Sequence, residues 1–147
     1  MNPIKHAFLI DDDPVTNVIN IQVIEFSKLA SRVSTFADAK LALAKLKEIG
    51  ESDPGMFPEI IFLDIAMPGM DGWGFLDQFI KFPESILQKC NVVILTCSID
   101  LFDIKKAKKY SIVKDYITKP LDIKALIMLG SPKHQYFSIS QSAVNAI

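Results

Sequence analysis

At 147 residues, half of them hydrophobic, the chain is long enough to bury one core, short for two, and too apolar to be disordered over most of its length. A formal net charge of -1 offers no general attraction to nucleic acid or to an anionic membrane, and the apolar runs are too short to cross a bilayer. Cys90 and Cys97 lack a CxxC spacing and His6 and His134 stand alone, which argues against a zinc or disulfide framework.

The first element in chain order is "AFLI" (7–10), a solid apolar run of the kind found in strands covered on both faces. Three carboxylates follow it directly. Asp13 before Pro14 reads as an N-cap with proline at the first helical position, opening a helix over Pro14 to Leu29 that carries Val15, Val18, Ile19, Ile24 and Phe26 amid polar positions. Asp11 and Asp12 are left without a structural task. "RVSTF" (32–36) reads as a second strand, and Asp38 caps a second helix carrying Leu41, Leu46 and Ile49. "GESDPGMFP" (50–58) is a turn-rich connection. Then come a strand at "EIIFLD" (59–64), a helix over Trp73 to Phe82, a strand at "NVVILT" (91–96), a helix over Leu101 to Tyr110, a strand at "VKDYIT" (113–118) and a short helix over Asp122 to Leu129. This alternation implies an α/β fold, a parallel sheet with helices on both faces. The pattern stops after Gly130 and Pro132, so residues 1–130 form the domain and 131–147 read as a weakly ordered tail.

Ligands of an open parallel sheet bind beyond the carboxyl ends of its strands. Asp11 and Asp12 end the first strand, Asp64 the third, Thr96 the fourth, and Lys119 follows the fifth. Each has a bland reading by itself: Asp64 as a turn residue, Thr96 as an ordinary β-branched residue, Lys119 as a solvated cation. Together they place three carboxylates, a hydroxyl and an ammonium on one rim. Three carboxylates make an oxygen-ligand site for a hard divalent cation, Mg²⁺ rather than zinc. A lysine and a hydroxyl facing that cation suit a phosphoryl group.

The stretches "FLIDDDP", "IIFLDIAMPGMDGWGFL", "VVILTCS" and "DYITKPL" resemble, in order and spacing, the receiver domain of two-component response regulators (CheY-like), over roughly Lys5 to Leu129. The resemblance implies a doubly wound, flavodoxin-like five-stranded sheet of order 2-1-3-4-5. It implies that Asp64 takes a phosphoryl group from a phosphohistidine on a sensor histidine kinase or a histidine phosphotransfer protein. By the same carry-over Asp12, Asp64 and the backbone carbonyl of Ala66 ligate Mg²⁺, Asp11 acts through water, and Lys119 pairs with the phosphoryl oxygens. Thr96 and Tyr116 form the switch, and the Lys119–Pro120 bond is cis. A carboxylate is a poor nucleophile toward an anion, so charge neutralisation is the main requirement, and Mg²⁺ with Lys119 supplies it.

Departures from the family pattern are local. Ala66 offers only its backbone. Cys97 follows Thr96 where the family has a small Ala or Ser; with nothing basic beside it in sequence, it reads as a small buried thiol rather than a redox sensor. "KKAKK" (105–109) reads as a solvated helix face, with partner docking as the minor reading. Two alternatives stand beside the receiver. One is a haloacid-dehalogenase-like phosphohydrolase with Asp11 as nucleophile, which leaves Asp64 unexplained and lacks a second acid beyond Lys119. The other is a degenerate receiver that only binds. The expectation is a stand-alone response regulator: a signalling protein rather than an enzyme with its own substrate, cytoplasmic since Met1 to Lys5 opens no signal peptide, with an unknown downstream protein target and neither nucleic acid nor membrane as partner. Lys133 to Ile147 are expected to offer a contact to a partner or to a second copy, giving a homodimer.

Overall fold

The computed structural model describes residues 4–97 and 100–129. The expectation for the tail lies outside these residues. Five parallel strands form one sheet in the order β2-β1-β3-β4-β5: β1 (Ala7–Ile10), β2 (Val33–Phe36), β3 (Ile60–Asp64), β4 (Asn91–Thr96) and β5 (Val113–Thr118). Around it lie α1 (Pro14–Ser27), α2 (Ala39–Ser52), α3 (Gly72–Phe79), a one-turn α4 (Glu84–Leu87), α5 (Leu101–Lys108) and α6 (Ile123–Leu129), with a 3-10 turn at Pro54–Met56. The doubly wound sheet with helices on both faces is as expected.

Strand alternation sends side chains to two cores. Phe8, Ile10, Ile61, Leu63, Val92 and Ile94 pack with α2, α3 and α5, whereas Ala7, Leu9, Phe62, Val93 and Leu95 pack with Ile24 of α1 and Leu126 of α6. Because β1 and β3 are buried on both faces, only their ends are free to carry polar chemistry. His6, just before β1, is buried too. Its Nδ1 lies 2.8 Å from the Met56 carbonyl, which only accepts, so Nδ1 carries the proton and Nε2, 2.7 Å from Ser34 Oγ, accepts. That bridge ties β1 to β2 and to the 3-10 turn, and burial pushes the imidazole pKa down, keeping it neutral.

Two elements depart from the sequence reading. The third expected helix breaks after Phe79, because Pro83 cannot continue it and instead caps the separate turn α4. α1 turns a different face inward from the one its apolar residues mark. Asn17, Asn20 and Ile24 are buried, whereas Val15, Val18, Ile19 and Phe26 are exposed, Phe26 by 76%. Leu41 of α2 likewise faces outward.

The loop from β3 to α3 is shaped by close approach. Gly72 N–H donates to the Ile65 carbonyl over 3.1 Å, and a Cβ at Gly72 would stand 2.6 Å from Ile65 Cα and 2.9 Å from the Asp64 carbonyl oxygen. Both neighbours are backbone and cannot swing aside. Gly72→Ala should therefore cost about 1–3 kcal/mol of unfolding free energy, as overpacking does. At Gly74 the nearest atom to an added Cβ is the flexible Met70 Cγ, so Gly74→Ala should be neutral or gain up to about 1 kcal/mol of helix propensity. Urea denaturation of the two variants checks the contrast.

Candidate functional site

The strand ends bring Asp11, Asp12, Asp64, Thr96 and Lys119 to the same rim of the sheet. Asp11 follows β1 and stays paired with β2 through its N–H to the Phe36 carbonyl (3.0 Å), which carries the chain past the sheet edge before it turns. Asp13 then caps α1: its carboxylate accepts from Val15 N–H (3.0 Å) and the Thr16 hydroxyl (2.7 Å), and that hydroxyl, followed by the backbone, holds its pKa below the usual carboxylate range. Within the turn, Asp11 Oδ1 accepts from Asp13 N–H over 2.9 Å. Asp13 thus caps the helix, while Asp11 closes the turn and faces the other carboxylates.

Asp64 is the last residue of β3. Its Oδ1 accepts from Ala66 N–H over 3.0 Å, which fixes the rotamer, and Oδ2 lies 3.3 Å from Lys119 Nζ. The same ammonium sits 2.5 Å from Asp11 Oδ2. Carboxylate oxygens of Asp11, Asp12 and Asp64 all lie within 4.8 Å of one another. Asp11 and Asp64 are buried while Asp12 is exposed, so the cluster opens to solvent on the Asp12 side.

The electrostatics are strained in a defined direction. Three carboxylates face one ammonium, leaving two negative charges uncompensated when all are ionised. Burial raises the pKa of Asp64 against the opposing pull of Ala66 N–H and Lys119. Burial by itself would lower that of Lys119, but Asp11 and Asp64 outweigh it and the net shift is upward. The ammonium is therefore locked in its charged form, and the acidic cluster remains short of positive charge. An all-oxygen set this close together fits a hard divalent cation of the Mg²⁺ kind.

Thr96 ends β4, is buried, and accepts from Lys119 N–H at its carbonyl over 2.6 Å, so the two polar strand ends are joined through the backbone. Tyr116 lies wholly buried in β5, where burial raises its phenol pKa and the Thr96 hydroxyl of the rim partly offsets that. The Lys119–Pro120 bond is cis, as the resemblance implied. Cys97 corrects the sequence reading: it is exposed, because β4 ends at Thr96 and the chain leaves the sheet one residue earlier than a buried thiol requires.

Two buried polar residues escaped the sequence reading, one of them beside the site. Asn17 donates from Nδ2 to the Asp11 carbonyl over 2.8 Å. Asp115, buried in β5, accepts from Tyr116 N–H over 2.8 Å. The signal for Asn17 was its spacing: with Asn20 and Ile24 it recurs at helical intervals.

The family model for the response regulator receiver domain matches residues 7–129. The chain is 33% identical to a solved two-component response regulator from Cytophaga hutchinsonii, with a TM-score of 0.80 over 86% of this chain and 94% of that one. It is 27% identical over 124 residues to the probable C4-dicarboxylate response regulator DctR of Halalkalibacterium halodurans; this covers 84% of the chain but spans only about half, 49%, of that relative. It is also 27% identical over 128 residues to the response regulator Rcp1 of Synechocystis sp., covering 87% of the chain and 85% of the relative.

Removing Lys119 leaves Asp11 and Asp64 buried without their shared counter-charge. Lys119→Met should lower stability at pH 7 by about 3–5 kcal/mol, the cost of an uncompensated buried charge. Burial already raises the Asp64 pKa, and losing the neighbouring ammonium raises it further, so the deficit should shrink as pH falls and Asp64 protonates. Denaturant unfolding at pH 7 and pH 4.5 reads both effects, and a pH-independent deficit would contradict the charge assignment.

Proposed function

The chain belongs to the response regulator receiver domain family, and on that premise we propose that it accepts a phosphoryl group on Asp64 from a phosphohistidine of a sensor histidine kinase or phosphotransfer protein. One observation carries the reading. The carboxylate at the end of the central strand lies beside two others, within 4.8 Å, and 3.3 Å from a buried ammonium. The family match decides against the phosphohydrolase alternative. Retention of every acidic position and of Lys119 speaks against a merely binding module.

In this reading the residues divide the work as follows. Asp12 and Asp64, with the Ala66 carbonyl and with Asp11 through water, hold Mg²⁺, which when bound neutralises charge on the incoming phosphoryl oxygens. Asp64 is the nucleophile: a carboxylate oxygen forms the new O–P bond while the P–N bond of the donor breaks and its electron pair stays on the imidazole. The Ala66 N–H restrains the other oxygen, so the nucleophile is aimed before the donor arrives. Lys119 moves from pairing two carboxylates to pairing the transferred group, which takes over the charge that Asp64 loses. Thr96 then hydrogen-bonds the acyl phosphate and, with Tyr116, carries the change toward α5, β5 and α6. The Ala66 side chain holds no group that can direct an attacking water. The change at α5, β5 and α6 is proposed to be read through protein contacts.

A protein donor must reach the rim where Asp12 opens to solvent, and α1 begins at that rim. Its outward stripe of Val15, Val18, Ile19 and Phe26 is apolar and exposed, as an interface core needs. The donor is proposed to dock there.

Two experiments test the scheme. Incubation with Mg²⁺ and a small acyl phosphate should add one phosphoryl group, and Asp64→Asn should abolish it; undiminished labelling of that variant would move the nucleophile to Asp11. Val18→Lys should leave labelling by the small donor unchanged while slowing transfer from a phosphorylated phosphotransfer protein by about tenfold or more, the loss of one well-packed interface residue. Equal slowing with both donors would remove α1 from the docking face.

A further inference from the structure

We propose that Asn17 is a positioning residue for the acidic turn, and that its amide, by locking the Asp11–Asp12 peptide, sets the direction in which Asp12 presents its carboxylate to a divalent cation. The inference rests on the metal reading above and adds to it the device that holds the exposed ligand in place.

The acidic cluster holds its members unequally. Asp11 is gripped by Lys119 and by Asp13 N–H, and Asp64 by Lys119 and by Ala66 N–H. Among the described residues no N–H or ammonium holds the Asp12 carboxylate in this way. The direction of that side chain is left to the backbone at Asp12. The carbonyl of Asp11 and the N–H of Asp12 belong to one planar peptide unit, so whatever fixes the carbonyl fixes the plane from which Asp12 departs. Asn17 Nδ2 does this over 2.8 Å, reaching back from the second turn of α1. A side-chain donor buried at 8% exposure does not swing to water, so the restraint is a stiff one.

The helix accepts a cost for this amide. The inward face of α1 at positions 17, 20 and 24 packs against an apolar core, and Ile24 shows what the site favours by burial alone. Asn17 Oδ1 meets no donor among the described residues, so the amide gives up hydration on that side. Residues that orient a metal ligand without touching the metal commonly carry such a cost, and their loss weakens metal affinity by about 10–100-fold.

Asn20 supplies an internal control. It lies one turn further along the same face, is fully buried, and meets no partner among the described residues. Asn17→Leu and Asn20→Leu thus make the same chemical change, and only the first removes a bond to the acidic turn. Titration calorimetry with MgCl₂ alone should give about tenfold weaker binding for Asn17→Leu and unchanged binding for Asn20→Leu. Urea denaturation should find neither less stable than the parent. This combination, affinity lost while stability is kept, is one that a merely structural Asn17 does not produce. In the parent protein, NMR should show the Asn17 side-chain amide protected from exchange and shifting with Mg²⁺ at the same midpoint as the Asp12 backbone N–H, a measurement needing no variant. Equal affinity of Asn17→Leu and parent would overturn the proposal, as would equal losses in both leucine variants or an unprotected Asn17 amide. Failure of the parent itself to bind Mg²⁺, with phosphoryl transfer unaffected by chelation, would overturn the metal reading instead.

Discussion

The ammonium of Lys119, shared between Asp11 and Asp64, is the contact on which the rim of this protein is organised. Two buried carboxylates from different strands are tolerable side by side only with positive charge between them, and Lys119 brings that charge from a third strand end. The arrangement ties β1, β3 and the end of β5 to one point. It is also incomplete by design: one ammonium cannot balance three carboxylates. The residual negative field favours a divalent cation at this rim, so the imbalance that costs stability is also what the proposed metal site would use.

A comparable trade runs along α1. A helix that served the fold alone would bury its valines and isoleucines and leave its amides in water. This one buries Asn17 and Asn20 and leaves Val15, Val18, Ile19 and Phe26 outside. The inward amide at position 17 reaches the acidic turn, and the outward stripe is left for contact. His6 contrasts with these: it is buried, neutral and bonded at both nitrogens, and its bridge serves the fold only. Its lowered pKa therefore marks structure rather than a site, which shows that perturbation by itself does not separate the two.

Much of this was legible in the chain. Solid apolar runs marked β1, β3 and β4 because both faces of those strands are covered, and Asp13 and Asp38 marked helix starts that the structure caps with those side chains. Polar residues at strand ends located the rim because strand interiors had no room for them. The sheet order came through family likeness, since alternation alone does not say which strand lies in the middle. The facing of α1 was not legible: Ile21, Val23 and Ile24 supply one apolar stripe and Val15, Val18 and Ile19 another, so periodicity could not choose between them. The exposure of Cys97 was missed for a smaller reason. The strand end at Thr96 was read correctly, but strand alternation fixes no side for the residue after it, and Cys97 lies toward solvent.

The route from the rim to the outer surface is short and built of contacts that do not deform gradually. Lys119 N–H holds the Thr96 carbonyl at 2.6 Å, so neither strand end moves without the other. Below them Tyr116 is wholly enclosed, packed in the same core as Ile104 and Ala107 of α5. A close-packed interior answers a shift at Thr96 by repacking as a unit rather than by absorbing it, so the proposed switch would bear first on α5. α5 is also the helix tied most visibly to its neighbour. Trp73 of α3 stacks on Tyr110 at 6.0 Å between centroids, Lys106 Nζ lies 4.8 Å from the Trp73 ring centroid, and the Tyr110 hydroxyl donates to Asp77 over 2.7 Å. The ion–ring contact and the hydroxyl bond lie toward solvent, so they are weaker than the apolar packing of the sheet beneath. On the proposed phosphorylation of Asp64, these outer ties are the ones that would yield first, while the core face keeps α5 on the sheet.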